Sequence, residues 1–119
     1  MRALESESLP WYVYVGANHT RKEIYIGVCK DRGTASHPAG PRVSIGDRWA
    51  SHCQGETDCI NHWDCDNDDL KILCTFKADS QEKASASAHT LERDPSILAK
   101  RCAKVAACKG YSIHQTRGV

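Results

Sequence analysis

The sequence predicts an α+β domain: a three-stranded antiparallel sheet flanked by helices, in the order β-β-α-β-α-α. Three observations point to it. Two aromatic and β-branched runs, Trp11 to Val15 and Glu23 to Val28, flank a turn-rich connector. A third apolar run, Leu70 to Phe76, stands apart from them, and the segments after it carry helical rather than alternating spacing. The chain of 119 residues suffices for one such domain and is too short for two.

Residues 1–10 read as a polar lead-in that ends at Pro10, followed by a domain over 11–113 and a short tail over 114–119. Trp11-Tyr-Val-Tyr-Val15 is the first strand, and Gly16 to Lys22 is the connection to the second, so the two strands pair as a hairpin. Alternation places Tyr12 and Tyr14 on one face of the first strand, and Tyr25 and Gly27 on one face of the second. Gly33, Pro38, Gly40 and Pro41 make 29–43 an irregular loop. Ser44 and Asp47 resemble an acidic capping box, which predicts a helix over 45–53 with Arg48 and His52 one turn apart. Gly55 ends it. Leu70 to Phe76 is the third strand. Asp79 or Ser80, with Glu82 behind it, opens a helix to Arg93 that buries Ala84, Ala88 and Leu91 and holds Glu92 at the border of that face. Asp94-Pro95 interrupts, and a last helix over 96–108 stops at Gly110.

Hydrophobic residues at 40% and charged residues at 26% exclude wholesale disorder, and no apolar run is long enough to cross a membrane. The first ten residues carry two acids and no apolar stretch of the signal-peptide kind, so an intracellular, cytoplasmic protein is expected. Seven cysteines, an odd count, fit small buried hydrophobes in a reduced protein better than a disulfide scaffold. A net charge of +1 does not announce a nucleic-acid binder, but its distribution is uneven. Residues 55–69 hold Glu56, Asp58, Asp64, Asp66, Asp68 and Asp69 with no lysine or arginine. After Asp94 come Lys100, Arg101, Lys104, Lys109 and Arg117 with no acid, either a face for a phosphate backbone or a solvated helix face.

Read together, the hairpin residues are more specific than any of them alone. Tyr12-Val-Tyr14 followed by Tyr25-Ile-Gly27 resembles the paired strands that name the GIY-YIG nuclease family. The helix Arg48-Trp-Ala-Ser-His52 resembles the family's arginine helix, in which some members carry a histidine one turn on. Glu92 in His89-Thr-Leu-Glu-Arg93 matches the glutamate of a later helix. The resemblance covers about residues 11–113. It departs from the pattern where Tyr12 stands in place of glycine, where the loop before Arg48 is long (Arg32 and Arg42 are its competitors), and where Ser112 lies near the family's asparagine.

The resemblance implies hydrolysis of phosphodiester bonds in nucleic acid, DNA before RNA, with a divalent cation. Tyr14, beside Tyr25, is then the general base, although a phenol of pKa ~10 needs neighbouring cations to serve near neutral pH. Glu92 is the protein ligand of one Mg²⁺ or Mn²⁺, which stabilises the leaving oxygen. Arg48 holds the scissile phosphate in a planar, charge-assisted contact, and His52 shares the proton work. Gly27, Lys30, Lys100, Arg101 and Lys104 are the expected substrate contacts, Gly27 by leaving room.

Cys53, Cys59, His62 and Cys65 supply enough soft ligands for a tetrahedral structural zinc, although the spacing is not one of the strong zinc signatures. Two other readings stay open beside the nuclease: a nucleic-acid-binding module that cuts weakly or not at all, and a zinc-stabilised interaction protein in which the tyrosines are only core.

Overall fold

The computed structural model describes residues 9–53 and 70–113, the side chains of 51–53 and of Leu70 excepted. Strand β1, Trp11–Asn18, runs through the middle of the sheet. It pairs antiparallel with β2, Glu23–Lys30, from Trp11↔Lys30 to Asn18↔Glu23. On its other side it pairs antiparallel with β3, Leu70–Ala78, with a register shift between Val15 and Gly16. Each strand runs further than its apolar run because the ladder continues into the turns. Asn18 Oδ1 accepts the Arg21 N–H at 3.1 Å, and Lys22 takes a left-handed φ of 57°, which closes the hairpin.

The sheet differs from expectation in one strand. Ser112–Ile113 forms β4 and pairs parallel with β2, so the sheet has four strands in the order β3-β1-β2-β4 and is mixed. Two residues carry no periodicity of their own; the pairing exists because the chain returns past the hairpin, where Ser112 N–H also reaches Lys22 O.

Alternation along β1 and β2 splits the interior into two cores. Val13, Val15, Ala17, Ile24 and Ile26 face one way, onto Ala84, Ala88 and Leu91 of helix α2 (Gln81–Arg93) and Leu98 of helix α3 (Pro95–Arg101). Tyr12, Tyr14, Tyr25 and Cys29 face the other way, where Ile45 and Trp49 of helix α1 (Pro41–Cys53) cover them. Each fully buried Val, Ile or Leu contributes about 1.5–3 kcal/mol, so the first core dominates stability. The alanines at 84 and 88 lie one turn apart and are fully buried, which brings α2 close to the strands; a longer side chain at either would overpack.

Local chemistry sets the helix ends. Ser80 caps α2, its hydroxyl accepting Lys83 N–H at 3.2 Å. Asp94 both ends α2 and caps α3, its Oδ1 accepting Ser96 N–H and Ile97 N–H at 3.0 and 3.2 Å, with Pro95 in the first turn. Helix α1 starts at Pro41, directly after Gly40 (φ +89°), rather than at Ile45. Ser44 is therefore inside the helix and is no cap: its hydroxyl accepts Arg32 N–H at 2.9 Å. The last predicted helix is also shorter. It stops at Arg101, and a 3₁₀ turn over Ala103–Ala107 follows.

The reason for that stop lies partly in Cys102, a buried capping residue whose sulfur is bonded to Cys74 of β3. Reduced cysteines were expected, and this pair corrects that. The two lie 28 residues apart in sequence, beyond any local signal, yet their Cα atoms are 6.0 Å apart, inside the normal range for a disulfide. Cys29 and Cys108 are buried free thiols. Among the described residues, no helix is long and apolar enough to cross a membrane.

Candidate functional site

The hairpin register places Tyr14 opposite Gly27 and Tyr25 opposite Gly16. A β-carbon at Gly27 would lie 2.8 Å from Tyr14 Cε1 and nearer still to its Cζ and Oη, so the Tyr14 ring lies across Gly27. Room at Gly27 was expected to serve substrate; the ring of Tyr14 occupies it. The Tyr14 and Tyr25 rings stand 6.0 Å apart, tilted by 47°. Both are buried, Tyr14 at 0% and Tyr25 at 2% exposure.

Tyr12 points to the same side and ends on Asp31, donating to Oδ2 at 2.7 Å. Asp31 Oδ1 accepts Gly33 N–H and Ala39 N–H at 2.7 and 2.8 Å, and Oδ2 also accepts Gly40 N–H at 2.8 Å. One buried carboxylate thus fastens both ends of the 31–40 loop and the start of α1. Burial alone would raise its pKa. The Tyr12 hydroxyl and the N–H groups of Ala39, Gly33 and Gly40 overcome that and bring it down to about 2. The same pair acts oppositely on Tyr12, whose phenol burial and then Asp31 push up to about 12.

Beyond Asp31 a cleft of about 590 Å³ opens where β1 begins and β2 ends. Lys30, Arg32 and Arg48 bring positive charge to it, and Trp11, Val28 and Leu9 are its apolar wall. Cys29 separates this cleft from the tyrosine cluster. Desolvation raises the thiol to about 11, against the pull of Arg32 and then Arg48, which places both guanidinium groups near it. A thiol held there is protonated at neutral pH and is no nucleophile. The Nε of Arg48 is buried and has no hydrogen-bond partner among the described residues. Such an arrangement suits an anion: planar and point charges at one end of an open cavity, beside an aromatic wall.

No family model, curated protein or solved structure matches this chain. What the site can do is therefore read from its own residues.

The structure brings Tyr14, Tyr25 and Gly27 together across the hairpin, and Arg48 and Lys30 together at the cleft beyond Cys29, but it does not bring the two groups into one site. It does not bring Glu92 to the cleft. Glu92 is 3% exposed on α2, on the same side as Ala84, Ala88 and Leu91, as its spacing predicted. Lys100 and Arg101 of α3 and Lys104 of the 3₁₀ turn also lie away from the cleft. The Arg101 guanidinium stands 4.6 Å over the Phe76 ring, a cation–π contact with its own strand neighbour. His52 lies one turn after Arg48 on α1, its side chain among those not described. Cys53 is described only as the end of α1, and Cys59, His62 and Cys65 fall outside the described residues, so the zinc expectation does too.

A divalent ion held by Glu92 alone fits poorly, because Mg²⁺ keeps several waters for which a 3%-exposed carboxylate leaves little space.

Two residues of the site were given no role by the sequence. Asp31 was readable in part, since Asp-x-Gly after a strand is an Asx-turn signal. Arg32 was weighed only as a competitor of Arg48, whereas it joins Arg48 at the cleft, through a loop whose shape Asp31 and Ser44 impose.

Proposed function

We propose that this chain is a GIY-YIG-type nuclease, a hydrolase of phosphodiester bonds in nucleic acid, DNA before RNA. The observation that carries the reading is the hairpin: Tyr14 lies across Gly27 and beside Tyr25, under the helix that turns Arg48 into a cleft with Lys30. Arg48 takes two oxygens of one phosphate in a planar contact, and Lys30 adds a point charge. Tyr14 is the residue that the resemblance makes the general base, taking a proton from an attacking water. Mg²⁺ or Mn²⁺ is the cofactor that the resemblance adds. Lys30 and Arg48 are the residues in hand for phosphate binding.

Burial favours a second reading, a nucleic-acid-binding module that does not cut. Tyr14, Tyr25 and Glu92 are all 3% exposed or less, whereas Lys30 and Arg32 meet solvent. Supercoiled plasmid with Mg²⁺ or Mn²⁺, alongside Tyr14→Phe and Glu92→Gln, separates the two. Metal-dependent nicking lost in both variants supports the nuclease. Retained affinity without cleavage of plasmid, RNA or branched DNA supports the binding module. Equal nicking by all three proteins would mean that the residues are misassigned.

A further inference from the structure

We propose that the basic cleft seats one unpaired nucleotide of a nucleic-acid strand, its phosphate on Lys30, Arg32 and Arg48 and its base against Trp11. This deepens the nucleic-acid reading and rests on it, but it does not depend on cleavage. Four observations meet here. First, the cleft has three cations and one carboxylate, and both oxygens of that carboxylate are occupied by donors. Asp31 therefore lowers the charge without offering a competing acceptor.

Second, the Arg48 Nε is a buried donor without a partner among the described residues. Arg48 as a whole is only half-buried and lines the cleft, so its guanidinium reaches a phosphate oxygen there while its Nε stays inside. Third, about 590 Å³ is far more than a phosphate ion needs and is in the range of small-molecule sites. Fourth, the cleft is not cationic throughout. Trp11, Val28 and Leu9 form an apolar side, and Trp11 comes from the first residue of β1 directly opposite Lys30 in the ladder.

Phosphate donors and an aromatic side chain facing one cavity are the elements that take a base and its backbone together. A base still stacked in a duplex cannot enter a cavity beside the backbone; an unpaired one can. The cleft thus selects strands with a free end, a gap or a flap over continuous duplex.

Fluorescence anisotropy in EDTA tests this without any cutting, using one labelled oligonucleotide alone and in blunt duplex. The single strand should bind at least about ten-fold more tightly. Trp11→Leu should reduce that affinity by about five-fold or more and leave the duplex unchanged. Trp11 also packs on the core, so Arg32→Ala and Lys30→Ala, both at exposed positions, serve as independent variants. Each should weaken binding and reduce the slope of log K against log salt by about one. Equal affinity for both forms, an unaffected Trp11→Leu, or an unchanged salt slope in both cation variants would overturn the proposal. Displacement of the strand by dTMP at comparable concentration would overturn it in favour of a free nucleotide. If single-strand binding behaves as expected and the plasmid stays intact, the nuclease reading fails and this one stands.

Discussion

Gly27→Ala should destabilise the protein through a single contact. The added carbon would sit 2.8 Å from Tyr14 Cε1 and closer to Cζ and Oη, distances that side-chain carbons do not tolerate. Relief has to come from Tyr14, and Tyr14 has little freedom. It lies on the central strand, is fully buried, and is bounded by Tyr25 at 6.0 Å and by α1. Overpacking of this kind costs about 1–3 kcal/mol. Alanine gives back about 0.4–1 kcal/mol by restricting the unfolded chain. Mid-range values of the two leave a net loss of about 1–2 kcal/mol.

Urea unfolding at neutral pH reads that loss as a shift of the midpoint to lower denaturant by roughly 0.5–1 M, with m unchanged. The decisive comparison is a double-mutant cycle with Tyr14→Leu. Leucine lacks the ring end that collides with the new carbon, so Gly27→Ala should be close to neutral in that background. The coupling should reach at least about 1 kcal/mol. Equal destabilisation in both backgrounds, or no effect of Gly27→Ala alone, would refute the packing account. It would also remove the main geometric support for treating Tyr14 and Gly27 as one site.

Two further outcomes follow from the loop anchor and the disulfide. A fall from 3.8 unfolded to about 2 folded means that Asp31 contributes about 2 kcal/mol above pH ~4, lost as the pH drops toward 2. Thermal melts between pH 2 and 5 should therefore show Asp31→Asn less stable than wild type at pH 5 and the two converging near pH 2; parallel profiles would refute it. Closing a loop of 28 residues, the Cys74–Cys102 bond should contribute about 3–4 kcal/mol, so reductant should lower Tm by on the order of 10 °C. A Cys74→Ala/Cys102→Ala double variant should already melt lower and ignore the reductant. An insensitive wild-type melt would contradict the bond.

The elements legible in the sequence are those whose signal is local. Trp11 to Val15, Glu23 to Val28 and Leu70 to Phe76 announce strands because aromatic and β-branched side chains suit a pleated, packed surface. Ala84, Ala88 and Leu91 were placed on the buried helix side by spacing and Glu92 at its border, and all four are buried. What escaped was decided at a distance. β4 exists only beside β2, and Cys74 meets Cys102 only once α3 lies on the edge strand. The start of α1 shows the two kinds of signal in competition. Ser44 and Asp47 imitate a cap, but Gly40-Pro41 begins the helix earlier, and the Ser44 hydroxyl is needed by Arg32 instead.

That contact, with the Asp31 bonds, ties stability to function. Arg32 and Arg48 reach the cleft from different elements, a loop and a helix, and like charges there repel each other in the folded state. The repulsion has to be held by something rigid. Asp31 does so chemically, by fixing Gly33, Ala39 and Gly40 to the Tyr12 phenol on the central strand. Ser44 does so from inside α1, by holding the Arg32 backbone against the helix that carries Arg48. Weakening either should loosen the loop and the cation pair together, so losses in stability and in strand affinity should track one another for Asp31 and Ser44 variants. For Arg32→Ala and Lys30→Ala they should not, because those side chains are exposed and only their charge is missing.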